Sequence, residues 1–217
     1  ADIASDMEEP KAMQRLVQGD VGSGKTVVAG LALAKAVENG FQGAIMAPTE
    51  ILATQHFESF QELFQDAPIR MALLTGSTKK KQDLYDALEQ GDIDVLVGTH
   101  ALIQDKVVFH QLGLIVVDEQ HRFGVEQRAK LQRKGDHPHV LIMTATPIPR
   151  TMTLSIYGDL EVSLIKEMPP GRKPVKTYAV DSSYKERLLH FFEKEMQAGR
   201  QVYAVCPLVE ESEKMDL

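Results

Sequence analysis

Short apolar runs punctuate the first two-thirds of the chain: Ala44-Ile45-Met46-Ala47, Val95-Leu96-Val97, Leu114-Ile115-Val116-Val117 and Val140-Leu141-Ile142-Met143. None alternates with polar residues, which predicts strands buried on both faces. Between them lie segments of helical character, at residues 27–37, 49–64, 79–89 and 125–133. Strands alternating with helices predict a parallel α/β sheet with crossover helices. Further strands are expected at residues 15–18, leading into a glycine-rich loop, and at residues 70–74.

The pattern breaks at Met168-Pro169-Pro170-Gly171-Arg172-Lys173-Pro174, where prolines and a glycine forbid continued helix and favour an extended connector. This divides the chain into a domain at residues 1–167, a linker at 168–174 and a remainder at 175–217. The remainder reads as a strand (175–180), a helix (184–196) and a strand (201–207). So short a β-α-β unit buries little core without neighbours, so it is expected to be the truncated start of a second α/β domain.

With 217 residues and 43% hydrophobic content, the chain has enough apolar material for a packed core. A single cysteine, Cys206, excludes an internal disulfide and a cysteine-based zinc site. No apolar run is long enough to span a bilayer and the N-terminus lacks signal-peptide features, so a cytoplasmic protein without membrane contact is expected. The net charge of −7 argues against coating nucleic acid by bulk electrostatics. Residues 1–167 hold 16 Lys+Arg against 23 Asp+Glu, and residues 168–217 hold 8 against 8. Any nucleic-acid contact must therefore be local.

Gly19-Asp20-Val21-Gly22-Ser23-Gly24-Lys25-Thr26 fits G-x-x-x-x-G-K-[ST], the phosphate-binding loop. Its glycines let backbone N–H groups close around the β-phosphate, and the following helix presents its positive end. Lys25 neutralises β/γ oxygens, and the Thr26 hydroxyl ligates Mg²⁺. Asp118-Glu119-Gln120-His121 follows the run 114–117, at the strand end where a Mg²⁺-binding carboxylate belongs. There Asp118 would hold Mg²⁺ and Glu119 would orient and deprotonate the attacking water. His121 adjoins them, a candidate link from hydrolysis to Thr144-Ala145-Thr146-Pro147, whose hydroxyls would sense the γ-phosphate and couple it to a neighbouring domain.

Polar residues close other expected strands: Pro48-Thr49-Glu50, Thr75-Gly76-Ser77 and Gly98-Thr99-His100. In a parallel sheet these ends share one rim, so Pro48, Thr49, Thr75, Gly76, Thr99 and His100 are candidate contacts to a nucleic-acid backbone. Helix capping and ordinary turns account for the same residue types, and Thr49 and Ser77 suit both roles. His56, His110, His137 and His139 lack metal-ligand spacing and read as surface or satisfied core residues. The triplet Lys79-Lys80-Lys81 reads mainly as a solvated helix start. A GTPase is excluded because Asn39, the only asparagine, is followed by Gly40-Phe41 rather than a guanine-recognition element.

Taken together, these motifs resemble those of superfamily-two helicases, and their wording is similar to the RecG family. The resemblance rests on residues 15–26, Ala47-Pro48-Thr49-Glu50-Ile51-Leu52-Ala53, Gly98-Thr99-His100-Ala101-Leu102-Ile103, Asp118-Glu119-Gln120-His121-Arg122-Phe123-Gly124-Val125 and residues 143–151. It extends through Gly171-Arg172-Lys173-Pro174 to Pro207-Leu208-Val209-Glu210-Glu211-Ser212. Transcription-repair coupling translocases, the Mfd group, are the alternative. They typically carry Glu-Glu-His where this chain has Glu119-Gln120-His121, and Thr-Thr-Leu-Leu-Ala where it has Thr49-Glu50-Ile51-Leu52-Ala53.

The resemblance implies a RecA-like P-loop NTPase domain, a parallel sheet flanked by helices, followed by the start of a second RecA-like domain. It implies ATP and Mg²⁺ as cofactors and a monomeric bacterial protein that translocates on branched double-stranded DNA. Such proteins remodel stalled forks and branch-migrate Holliday junctions. Family members also carry a wedge domain, a Q-type motif, an arginine finger and a translocation hairpin that have no counterpart in this sequence. The chain is therefore expected to be a fragment that binds nucleotide without DNA-stimulated turnover of its own.

Overall fold

The computed structural model describes residues 2–118, 125–146, 160–167 and 175–205. Glu119, His121 and the 168–174 linker lie outside the described residues. The chain divides into two units, Ala1–Arg172 and Lys173–Leu217.

In the first unit, each apolar run forms a strand. The strands are β1 (Gln14–Gly19), β2 (Gln42–Met46), β3 (Met71–Leu74), β4 (Val95–Gly98), β5 (Leu112–Asp118), β6 (His139–Thr144) and β7 (Glu161–Ile165). They make one sheet in the order β3-β4-β2-β5-β6-β1-β7, every neighbouring pair parallel. Because successive side chains point to opposite faces, the continuous apolar runs feed two cores. Ala44, Met46, Ile115 and Val117 join one, while Ile45, Ala47, Leu114 and Val116 join the other.

Helices cover both faces: α1 (Asp2–Asp6), α2 (Lys25–Glu38), α3 (Glu50–Leu63), α4 (Lys81–Gln90) and α5 (Val125–Gln132). Leu33 of α2 and Phe60 of α3 are buried in the second core, Leu88 of α4 and Leu131 of α5 in the first. Helices α2 and α3 approach so closely at Gly30 that a Cβ there would lie 2.3 Å from a Leu63 methyl. Full burial of a Leu or Phe side chain contributes about 1.5–3 kcal/mol, so these contacts lock the crossover helices to the sheet.

Strand β7, absent from the sequence expectation, extends the sheet beyond β1 in register from Arg15 opposite Glu161 to Gly19 opposite Ile165. Buried Arg15 ties it in, donating to Ser163 Oγ at 2.8 Å and to the Glu161 carboxylate. The same guanidinium donates to Asp6 Oδ2 at 2.6 Å, holding α1 against β1.

The second unit contains α6 (Lys185–Gln197), preceded by a short 3-10 turn at Ser182–Tyr184. Residues 175–180 and 201–205, expected as strands, are not strands in the structure. A strand needs a hydrogen-bonded neighbour to be stable, and the described residues of this unit supply none. Leu188, Leu189 and Phe191 of α6 are exposed.

Candidate functional site

Strand β1 runs directly into the glycine-rich loop. Gly22 (φ 79°) and Gly24 (φ 92°) occupy the left-handed region, which side-chain-bearing residues rarely adopt. Gly24 is the N-cap of α2 and offers no side chain to the first amides of the helix. That helix end lies at the mouth of the loop, where the helix dipole is positive. Asp20 shapes the turn: its Oδ1 accepts from the Val21 N–H at 2.8 Å and its carbonyl from the Ser23 N–H at 3.1 Å. A Cβ on Gly19 would lie 2.5 Å from Ser23 Oγ and 3.0 Å from Ile165 Cβ, so a side chain there would force the loop or strand β7 to shift.

Two polar groups are directed to the loop interior. Lys25 Nζ donates to the Gly19 carbonyl at 2.7 Å and to the Asp20 carbonyl at 2.8 Å, which fixes its ammonium beside the loop backbone. Ser23 Oγ is buried and has no hydrogen-bond partner among the described residues. An unsatisfied buried hydroxyl costs roughly 1–3 kcal/mol, a cost that an anion in the loop would relieve. Thr26 follows in the first turn of α2 and is half-buried.

Sheet register brings the other candidates level with this loop. Gln18, just before it, sits opposite Thr144, and Asp118 sits opposite Met143. The C-terminal ends of β1, β6 and β5 are consecutive neighbours, so loop, Thr144 and Asp118 share one edge of the sheet. Thr144 is buried and its Oγ1 accepts from the Thr146 N–H at 3.1 Å, closing a turn that leaves Thr146 exposed. Asp118 is mostly buried and its Oδ2 lies 2.6 Å from His56 Nε2.

The rim residues divide. Thr49 and His100 are exposed, as is Gly76, and Pro48 is partly so. Thr49 caps α3, its Oγ1 accepting from the Leu52 N–H at 3.2 Å. The Gly76 N–H is engaged by Glu50 Oε1 at 2.6 Å. Thr75 and Thr99, read from sequence as rim hydroxyls, are each 3% exposed. Thr75 Oγ1 is turned into its own loop, within 2.9 Å of Ser77 Oγ, while its N–H donates to Thr78 Oγ1 at 2.8 Å. At this rim the solvent-facing residues include Thr49, Glu50, Gly76, Ser77 and His100.

His56 is the site residue that the sequence reading placed only among generic surface or satisfied core histidines. A signal was present: Ala53, His56, Phe57, Phe60 and Phe64 recur at helical spacing, which puts the imidazole on the inward face of α3. What it meets there, a carboxylate 62 positions later, follows from the strand order and not from spacing.

The family model for DEAD/DEAH box helicases matches residues 4–154. Along its whole length the chain is 55% identical to the ATP-dependent DNA helicase RecG of Bacillus subtilis and 53% identical to that of Aquifex aeolicus. It spans about a third of these proteins, 32% and 28% of their lengths. Among solved structures, RecG bound to a three-way DNA junction matches 96% of the chain with a TM-score of 0.79 and 48% identity, over 28% of that protein. The Pyrococcus furiosus Hef helicase domain matches 91% of the chain and 46% of its own length at TM-score 0.59 and 22% identity, a likeness of fold alone. The parallel sheet with flanking helices is thus a RecA-like helicase domain.

Proposed function

The chain belongs to the DEAD/DEAH box helicase family, and from that premise we propose that it is the ATP-binding first motor domain of a RecG-type DNA helicase. The observation that carries this reading is the convergence of loop 19–26, Thr144 and Asp118 on one edge of a parallel sheet. Phosphate fits the loop: no side chain caps the N-terminus of α2, Ser23 Oγ is buried without a hydrogen-bond partner among the described residues, and the Lys25 ammonium is held at the loop.

In this reading the loop amides and Lys25 hold the β- and γ-phosphates of ATP, while Thr26 and Asp118 hold Mg²⁺. Mg²⁺, when bound, would neutralise negative charge on the phosphates. Glu119, adjoining Asp118 in sequence, orients the attacking water and takes its proton, and His121 relays the outcome toward Thr144 and Thr146. Residues 1–167 form the motor domain and 168–174 the linker. Residues 175–217 begin a second motor domain, a reading supported by the apolar side chains left exposed around α6.

DNA binds along the rim through its phosphates. Thr49 and His100 offer exposed side chains there, with Pro48, Thr75, Gly76 and Thr99 shaping the loops that present them. The relative solved on a three-way DNA junction supports branched duplex DNA as the partner. We further propose that the complete protein remodels forks as a monomer in the bacterial cytoplasm. The test is steady-state ATP hydrolysis by the complete protein bearing this domain, with and without branched DNA, using Lys25→Ala as background. DNA should stimulate turnover, and Lys25→Ala should abolish it; turnover indifferent to either would overturn the assignment.

A further inference from the structure

One mostly buried polar contact of the first unit takes no part in holding phosphate. His56 Nε2 lies 2.6 Å from Asp118 Oδ2, and both side chains are 13% exposed. A carboxylate offers only acceptors, so Nε2 carries a proton and donates. The imidazole thereby occupies Oδ2 and leaves Oδ1 to a cation.

The ring is not free to swing away. His56 packs against Phe60, centroids 6.1 Å apart, and Phe60 stacks on Phe64 at 6.0 Å. Phe60 and Ala53 on the same face of α3 are fully buried. The opposite end of this helix is the rim: Thr49 caps it, and Glu50 in its first turn accepts from the Gly76 N–H at 2.6 Å. Seven residues separate Thr49 from His56, roughly 10 Å of helical rise. A single rigid helix thus joins the rim to a carboxylate at the phosphate edge.

We infer that His56 is a positioning residue for Asp118, and that α3 transmits engagement of the rim by DNA to that carboxylate. This rests on the reading of Asp118 as a Mg²⁺ ligand. Hydrogen-bond partners that orient a ligating carboxylate typically change metal affinity by about 10–100-fold when removed. His56→Phe keeps the ring packing on Phe60 and removes the donor. His56→Gln places an amide N–H near the Nε2 position and should restore it, whereas the shorter His56→Asn should not.

The experiment titrates Mg²⁺ into the 217-residue chain with a fluorescent ATP analogue and records the Mg²⁺ midpoint of nucleotide binding, with thermal unfolding as the check on folding. His56→Phe should raise the midpoint by about 10–100-fold, with His56→Gln close to wild type. If His56→Phe does not fold, His56→Asn should show the same rise. A wild-type midpoint in the donor-less variant, or a lower one, would overturn the positioning role. Asp118→Asn separates the premise: if it leaves the midpoint unchanged, Asp118 is not the ligand and both readings fall. If Asp118→Asn raises the midpoint and His56→Phe does not, only the role of His56 falls. Adding forked DNA should lower the midpoint of wild type and not of His56→Phe. An equal response in the two, no response included, would overturn the link through α3.

Discussion

At the scale of single residues, the chemistry depends on which atoms reach the phosphate edge. Glu119 adjoins Asp118, and its proposed work is to take a proton from water. Glu119→Gln still accepts a hydrogen bond but takes no proton, so the complete protein should keep ATP binding and lose hydrolysis, by about 10²–10⁴-fold for a positioned general base. Single-turnover hydrolysis against equilibrium binding of ATP separates the two, and normal turnover by the variant would move the base elsewhere. The phosphate loop and Asp118 were legible from sequence because glycines and a lysine at that fixed spacing, with a carboxylate at a later strand end, have one common use, holding a nucleotide phosphate and its cation. His56 was not, because its partner is set by the sheet order that brings α3 over the end of β5. Thr75 and Thr99 show the opposite limit: a strand-end hydroxyl is visible in sequence, but whether it faces solvent depends on how the loop around it folds, as Ser77 and Thr78 do around Thr75.

At the scale of elements, the apolar runs gave β2, β4, β5 and β6, and the bounds of α3 fell within one residue of expectation. That accuracy has a local cause, Thr49 as N-cap and a helix-period apolar face. Strand β7 was missed because every position of Glu161–Ile165 is exposed or half-buried at the sheet edge, without the apolar run that marked its neighbours. Registration of β1 on β6 contains a titratable group. His139 Nδ1 accepts from the Met13 N–H at 2.9 Å, and burial pushes its pKa below the ordinary 6.5, with Asp6 opposing weakly. A depressed folded pKa means the unfolded chain binds the proton more readily. The contribution is therefore intact above about pH 6.5 and is lost as pH falls through that value toward the folded pKa. His139→Asn keeps an acceptor near Nδ1 and cannot titrate. Between pH 7.5 and pH 5.5 the melting temperature of wild type should fall more steeply than that of His139→Asn; parallel slopes would show that His139 contributes nothing to the pH dependence.

At the scale of the whole molecule, a chain of net charge −7 should, on the proposed reading, bind DNA through a few local contacts. Neutral hydroxyls and amides release no counterions, so only cations near the rim, such as Lys79 and Lys80, contribute to salt dependence. The slope of log affinity against log salt should lie between about −1 and −3, and binding should be indifferent to sequence. Fluorescence anisotropy across a salt series measures it, and a slope near −10 would instead mean a broad basic surface. The second unit was the least legible part: its apolar pattern suggested strands, but a strand is a property of a pair. The central claim, that loop 19–26 and its neighbours form an ATP site, is tested most directly by thermal unfolding of the 217-residue chain with and without Mg²⁺-ATP. At about 100 times Kd a ligand stabilises the native state by about 2.7 kcal/mol, roughly 5–10 °C for a chain of this size. Wild type should show that rise and Lys25→Ala should not, while melting at the same temperature without ligand. An equal rise in both, or none in wild type, would contradict the assignment.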